Sequence, residues 1–190
     1  VEQQRDIMTS VFKSQIPAME KSDFLVMFEP VGATAQPIVI TQNEFMRRMK
    51  DMAAIQSGMA FYGELPDSYN LIVNTDHPLS QKVIADTESA CKSELTPILD
   101  ELKTVNEEIE RLQEAKKDKK DDEIPVADKE ALKHAEEKAK ELRAKESDIL
   151  KTYADRTPLV RQLVDLALLS NNMLKGEALS KFIKRSVEML

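Results

Sequence analysis

Tryptophan is absent from this chain, cysteine occurs once, and four glycines are spread over 190 residues. Each shortage removes a class of structure. The lone Cys91 cannot close an intrachain disulfide, so the chain is no stapled secreted scaffold and suits a reducing compartment such as the cytoplasm. Four glycines are too few for turn-dense β architecture and favour helix. Aromatics are 5%, so the core must be largely aliphatic. No apolar run approaches the ~20 residues that span a bilayer, so no membrane partner is expected. Basic excess is also missing: a formal charge of −7 lacks the cationic surface that displaces counterions from nucleic acid. The opening VEQQRDIMTS carries neither an initiator methionine nor the apolar stretch of a signal peptide, which marks a piece of something longer.

Reaction chemistry is missing too. There is no Gly-rich phosphate loop, no GxSxG elbow and no HExxH. The two histidines, His77 and His134, lie in different segments, the second among Lys and Glu. A Cys91–His77 pair is conceivable on paper, but nothing marks either residue as activated, and a structural role is expected of both. The acidic pairs Glu107-Glu108, Asp121-Asp122 and Glu136-Glu137 are outer faces of charged helices. The expectation is no enzyme, no metal and no cofactor in this chain.

What is present is charge in both signs, 32% of residues, arranged as long exposed helices are. Three segments follow. Residues 1–87 mix helix and strand. Ile7, Met8, Val11 and Phe12 recur at helical spacing. DFLVMFEPVG (23–32), PIVIT (37–41) and YNLIVNT (69–75) read as strands. TQNEFMRRMKDMAAIQSG reads as a helix capped by Thr41 or Asn43 and closed by Gly58. Asp76 and Pro78 announce another helix through LSQKVIADTESA. The order is helix–strand–strand–helix–strand–helix, one small sheet with helices on it.

Residues 88–156 are a different kind of chain. Leu95, Ile98, Leu102, Val105, Ile109 and Leu112 alternate spacings of three and four. The seam returns as Leu132, Ala135, Ala139, Leu142, Glu146, Ile149 and Tyr153, with Glu146 a flaw in it. Two such helices around the charged link KKDKKDDEIP fold most simply into an inserted antiparallel coiled-coil hairpin. The KKDKK run is balanced at once by DDE and has no aromatic for base stacking, so it reads as a solvated tip rather than an RNA contact.

Residues 157–190 are the most apolar. Thr157 caps and Pro158 opens a helix to residue 174. On a helical wheel Leu159, Leu163, Leu166, Val160, Val164 and Ala167 fill one wide arc, and Leu168 and Leu169 fall outside it. A helix apolar on two sides touches two things. After Lys175-Gly176 a last helix, 177–190, carries Leu179, Phe182, Ile183, Val187 and Leu190. A pair of helices apolar to the last residue either packs on its own domain or pairs with its twin, and the second reading is favoured.

The most uneven composition is in NEFMRRMKDM (43–52), where methionine clusters. Phe45, Met46, Met49 and Met52 share one face, opposite Arg47, Lys50 and Asp51. Such a face either packs on the sheet or serves as an adaptable binding surface, since methionine specifies a core poorly and accommodates many partners well.

The succession QNEFMRRMKDM, an apolar strand, NTDHPL, a helix through IADTE, and a terminal LVRQLVDLALL…FIKRSVEML resembles the C-terminal domain of the heat-shock protein 90 chaperones, the bacterial form most closely. The likeness covers most of 1–87 and all of 157–190. It implies an α+β fold: a small three-stranded sheet with helices, ending in two helices that pair with their twins as a dimeric four-helix bundle. It implies a homodimer interface at Leu159, Leu163, Leu166, Leu169, Leu179, Phe182, Ile183 and Leu190. It places Phe45, Met46, Met49 and Met52 on an amphipathic helix that touches unfolded or partly folded client proteins. The family's ATP and magnesium chemistry lies in N-terminal and middle domains that these residues do not resemble. The segment 88–156 has no counterpart in the best-known members, and the chain ends without their acidic tail. A competing reading makes the arm 88–156 the working part of a monomeric adaptor that binds a protein partner. A weaker one makes it an RNA-binding arm.

Overall fold

The computed structural model describes residues 2–56, 58, 60–117 and 125–190; Met59 and most of the charged link, residues 118–124, lie outside the described residues. The element order is α1 (Glu2–Gln15), β1 (Ser22–Glu29), β2 (Ile38–Gln42), α2 (Glu44–Ala53), α3 (Ala60–Glu64), β3 (Asp67–Asn74), α4 (Pro78–Glu114), α5 (Val126–Arg156), α6 (Pro158–Ser170) and α7 (Gly176–Glu188). The fold is α+β, with one mixed sheet. By contacts the chain forms two compact units, Val1–Thr87 with Tyr153–Leu190, and Glu88–Thr152.

In the first unit the strand order is β1-β3-β2, with β3 parallel to β1 and antiparallel to β2. The register sets Val26 opposite Leu71 and Phe28 opposite Val73, while Ile38 and Ile40 face the same two β3 residues from the other side. Because side chains alternate along a strand, all six share one face. That face meets helix: α1 packs on β1 and on α6, and α6 packs on β2. Met8, Val11 and Phe12 of α1 and Val160, Val164 and Leu168 of α6 are fully buried, and Phe12 meets Phe28 edge-on at 6.3 Å. Each such side chain contributes about 1.5–3 kcal/mol by leaving water.

A loop joins β1 to β2 and is tied to the end of β3 by one buried side chain. Asn74 Oδ1 accepts from the Val31 and Asp76 amides at 3.0 and 3.1 Å, and its Nδ2 donates to the Gly32 and Gln36 carbonyls at 2.8 and 3.2 Å. Gly32 sits at φ +103°, a conformation that a side chain would strain. The same junction starts α4: the Leu79 amide donates to His77 Nδ1 at 3.1 Å, so the imidazole serves as a helix cap.

The helix ends settle one open alternative, the cap of α2, and differ from the sequence reading in three places. Asn43, not Thr41, caps α2, its Oδ1 accepting from the Met46 amide. The helix ends at Ala53 rather than running to Gly58, and Ile55, just past its end, is 85% exposed and undocked. At the end of α6 the chain stops at Ser170, four residues early, in a Schellman turn. Asn172 takes φ +56° there, and the Met173 and Asn172 amides close onto the Leu168 and Leu169 carbonyls. Thr157 precedes Pro158 as expected, but its hydroxyl donates backwards to the Tyr153 carbonyl at 2.9 Å instead of capping α6.

In the second unit Leu102, Ala139 and Leu142 form a buried cluster with Ile98, Leu99, Val105 and Ile109 against it, and Lys138 Nζ reaches Glu101 at 3.1 Å. The seam of the first arm is as spaced in the sequence. On the second arm Leu150, not Ile149, is fully buried.

Candidate functional site

Two apolar surfaces of the first unit stay open. The first is on α2. Its polar side is laced by Arg47 with Glu44 and Asp51 at 3.1 and 3.2 Å and by Arg48 with Glu44 at 3.4 Å. The Arg47 hydrogen bond and charge hold the Glu44 carboxyl below its ordinary value. The helix packs mainly on α3 and β3, and none of its residues is buried. Phe45 is 67% and Met52 44% exposed, with Met46 and Met49 half-buried. The apolar face of α2 is therefore not used up as core. Ile55 and Phe61, just beyond it, are also exposed.

The second surface is at the chain's end. On α6 the buried arc is Val160, Leu163, Val164, Ala167 and Leu168. Leu166 is 41% exposed and Leu159 and Leu169 are half-buried. Leu166 and Leu168 thus exchange the sides given them on the sequence wheel. Docking against β2 and α1 sets the inner arc, and it admits a charged residue, Asp165, that the apolar count leaves out. Helix α7 has no buried residue at all. Leu179 and Phe182 are half-buried, while Ile183, Val187 and Leu190 form an open stripe at 54%, 68% and 107% exposure. Of the eight leucine, isoleucine and phenylalanine positions read from sequence as an interface, only Leu163 lies in the core.

The two helices are joined by a polar cluster that sequence reasoning missed. Asp165 is 1% exposed. Its Oδ2 accepts from Arg161 Nε at 3.1 Å and from Arg185 Nη2. Arg185 Nε donates to Gln162 Oε1 at 3.2 Å, and Gln162 Nε2 donates to the Ser186 hydroxyl. The only sequence signal was an acid inside an apolar run with Arg four residues earlier.

Over 188 residues, 99% of this chain, the sequence is 47% identical to the chaperone protein HtpG of Bacteroides thetaiotaomicron. Over 187 residues it is 44% identical to that of Porphyromonas gingivalis. The chain belongs to the HtpG chaperone family. It spans about 27–28% of the length of these HtpG relatives, their C-terminal part. The HtpG match also covers the helices of residues 88–156, so this arm is shared with those relatives. No family model matches the chain, and no solved structure does.

The remaining chemistry of this HtpG segment is quiet. Burial pushes the Cys91 thiol above its usual value, and Glu94 adds to the shift, so the sulfur is held protonated and unreactive. His134 is exposed and His77 caps a helix. Among the described residues no group of three metal-ligating side chains is found, and no helix is long and apolar enough to cross a membrane.

Proposed function

We propose that this chain is the homodimerisation and client-contact unit of an HtpG-type chaperone. The observation that carries the proposal is the exposure of Ile183 and Val187 on α7 and of Leu190 just past its end, together with that of Leu166 on α6. Solvent exposure of large side chains spaced i and i+4 on a helix, and at i+7 just beyond its end, fits an intermolecular seam. With Leu159, Leu169, Leu179 and Phe182 beside it, two copies of the pair make a four-helix bundle. Burial of about 800 Å² per partner is enough for a stable dimer.

Dimerisation acts through effective concentration. Two parent chains held at their ends keep their remaining domains close, so that nucleotide-driven closure becomes an intramolecular event. ATP and magnesium belong to the remainder of the parent protein, and this segment uses no cofactor. Phe45, Met46, Met49 and Met52 form the client surface, where flexible thioethers repack against unrelated apolar segments. The paired helices of 88–152 are an antiparallel coiled-coil arm. A reducing cytoplasm suits the lone buried thiol.

The proposal is tested by Leu166→Glu and Ile183→Glu. Both positions are exposed in the protomer, so the variants fold, and their mass halves. A mass unchanged in both removes the dimer reading. Dimerisation by the arm alone, traced by deleting 92–152, moves the function there.

A further inference from the structure

The open stripe on α7 has a fixed direction only if α7 itself is fixed, and its apolar anchoring is slight. No α7 residue is buried, and the preceding link is anchored by Leu174 at 3% exposure. Leu179 and Phe182 are half-buried, and beyond them the polar hold is Arg185. It reaches the buried Asp165 carboxylate and Gln162 on α6 through two different nitrogens, while Ser186 takes a bond from Gln162. These polar bonds lie next to the outward positions Ile183 and Val187. Arg161, which shares the same carboxylate oxygen, donates Nη1 to the Gln15 carbonyl at the end of α1 at 2.9 Å. Asp165 Oδ1 is buried without a hydrogen-bond partner among the described residues. One carboxylate thus serves two guanidinium groups, one facing α1 and the other holding the terminal helix.

We infer that Asp165 and Arg185 are positioning residues for self-association: the pair locks α7 so that Ile183, Val187 and Leu190 meet a second copy in one geometry. This rests on the dimer reading above. The arrangement divides the labour between the two arginines. Arg161 secures α1 to α6, whereas Arg185 orients the dimer helix. Arg185→Ala leaves Asp165 neutralised by Arg161, so no buried charge is orphaned and the fold survives. Arg185→Lys keeps the charge but offers a single point donor where the guanidinium reaches Asp165 and Gln162 together.

The experiment compares dimer dissociation constants of the unaltered chain, Arg185→Ala, Arg185→Lys and Arg161→Ala by sedimentation, with amide exchange of 176–188 and the thermal midpoint of each. The expected result is a dissociation constant raised about tenfold or more for Arg185→Ala, partly restored in Arg185→Lys, with faster exchange confined to α7. Arg161→Ala lowers the thermal midpoint and leaves the dissociation constant within about threefold. Equal weakening by both alanine variants, or none by Arg185→Ala, overturns the positioning role while the dimer stands. An unaltered chain that never dimerises overturns the dimer reading itself, and the positioning role with it.

Discussion

Lys50 Nζ lies 2.7 Å from Asp67 Oδ1, and this pair ties α2 to the first residue of β3. A helix with no buried residue is held at one edge by its cap and by this ion pair, which leaves its apolar face free. A partly exposed pair of this kind contributes about 0.5 kcal/mol. Lys50→Ala is therefore expected to leave the unfolding midpoint nearly unchanged and to raise amide exchange selectively in 44–53. Unchanged exchange there would mean that Lys50 does not restrain the helix.

Phe45 and Met52 face solvent, so replacing both with serine is expected to alter stability by less than about 0.5 kcal/mol. If they bind clients, the double variant loses most of its ability to suppress aggregation of a chemically denatured test protein, while its dimer mass is unchanged. Full suppression by the variant would move the client surface elsewhere.

The places where the chain was legible share a cause. The strands β1, β2 and β3 are β-branched or aromatic runs with turn residues at their ends, and Asn43 and Pro158 are helix-start signals that act over a few residues. Periodicity also revealed the paired helices through Leu102, Ala139 and Leu142. What stayed hidden depends on tertiary partners. Asp165 looks like a solvated charge in sequence and is buried only because Arg161 and Arg185 converge on it. The exchange of Leu166 with Leu168 follows from the same docking. Asn74 is one polar residue at a strand end until the loop 30–37 wraps it.

Asn74→Ala removes a buried side chain with four hydrogen bonds to backbone groups. A loss of about 2–3 kcal/mol is expected, read as a lower urea midpoint. Asn74→Asp should be no better, because the carboxylate cannot donate to the Gly32 and Gln36 carbonyls. A shift below about 0.5 kcal/mol in the alanine variant would show that the loop closes without it.

Cys91 predicts a pH dependence. Its pKa is raised on folding by burial, so its contribution is fully present below the unfolded thiol value of about 8.5. It is lost as pH rises through the higher folded value. Cys91→Ala should flatten that alkaline decline. In the unaltered chain a thiol reagent at neutral pH should label Cys91 roughly 100-fold more slowly than in urea. Equal rates would contradict the buried, protonated thiol.

The central claim is that the terminal helices meet a second copy. Sedimentation of the unaltered chain over about two decades of concentration tests it most directly, because mass action must appear in any reversible self-association. The account predicts a dimer that dissociates, if at all, only at the lowest concentrations. A monomer at every concentration would mean that Ile183, Val187 and Leu190 have no partner in a second copy, and would contradict it.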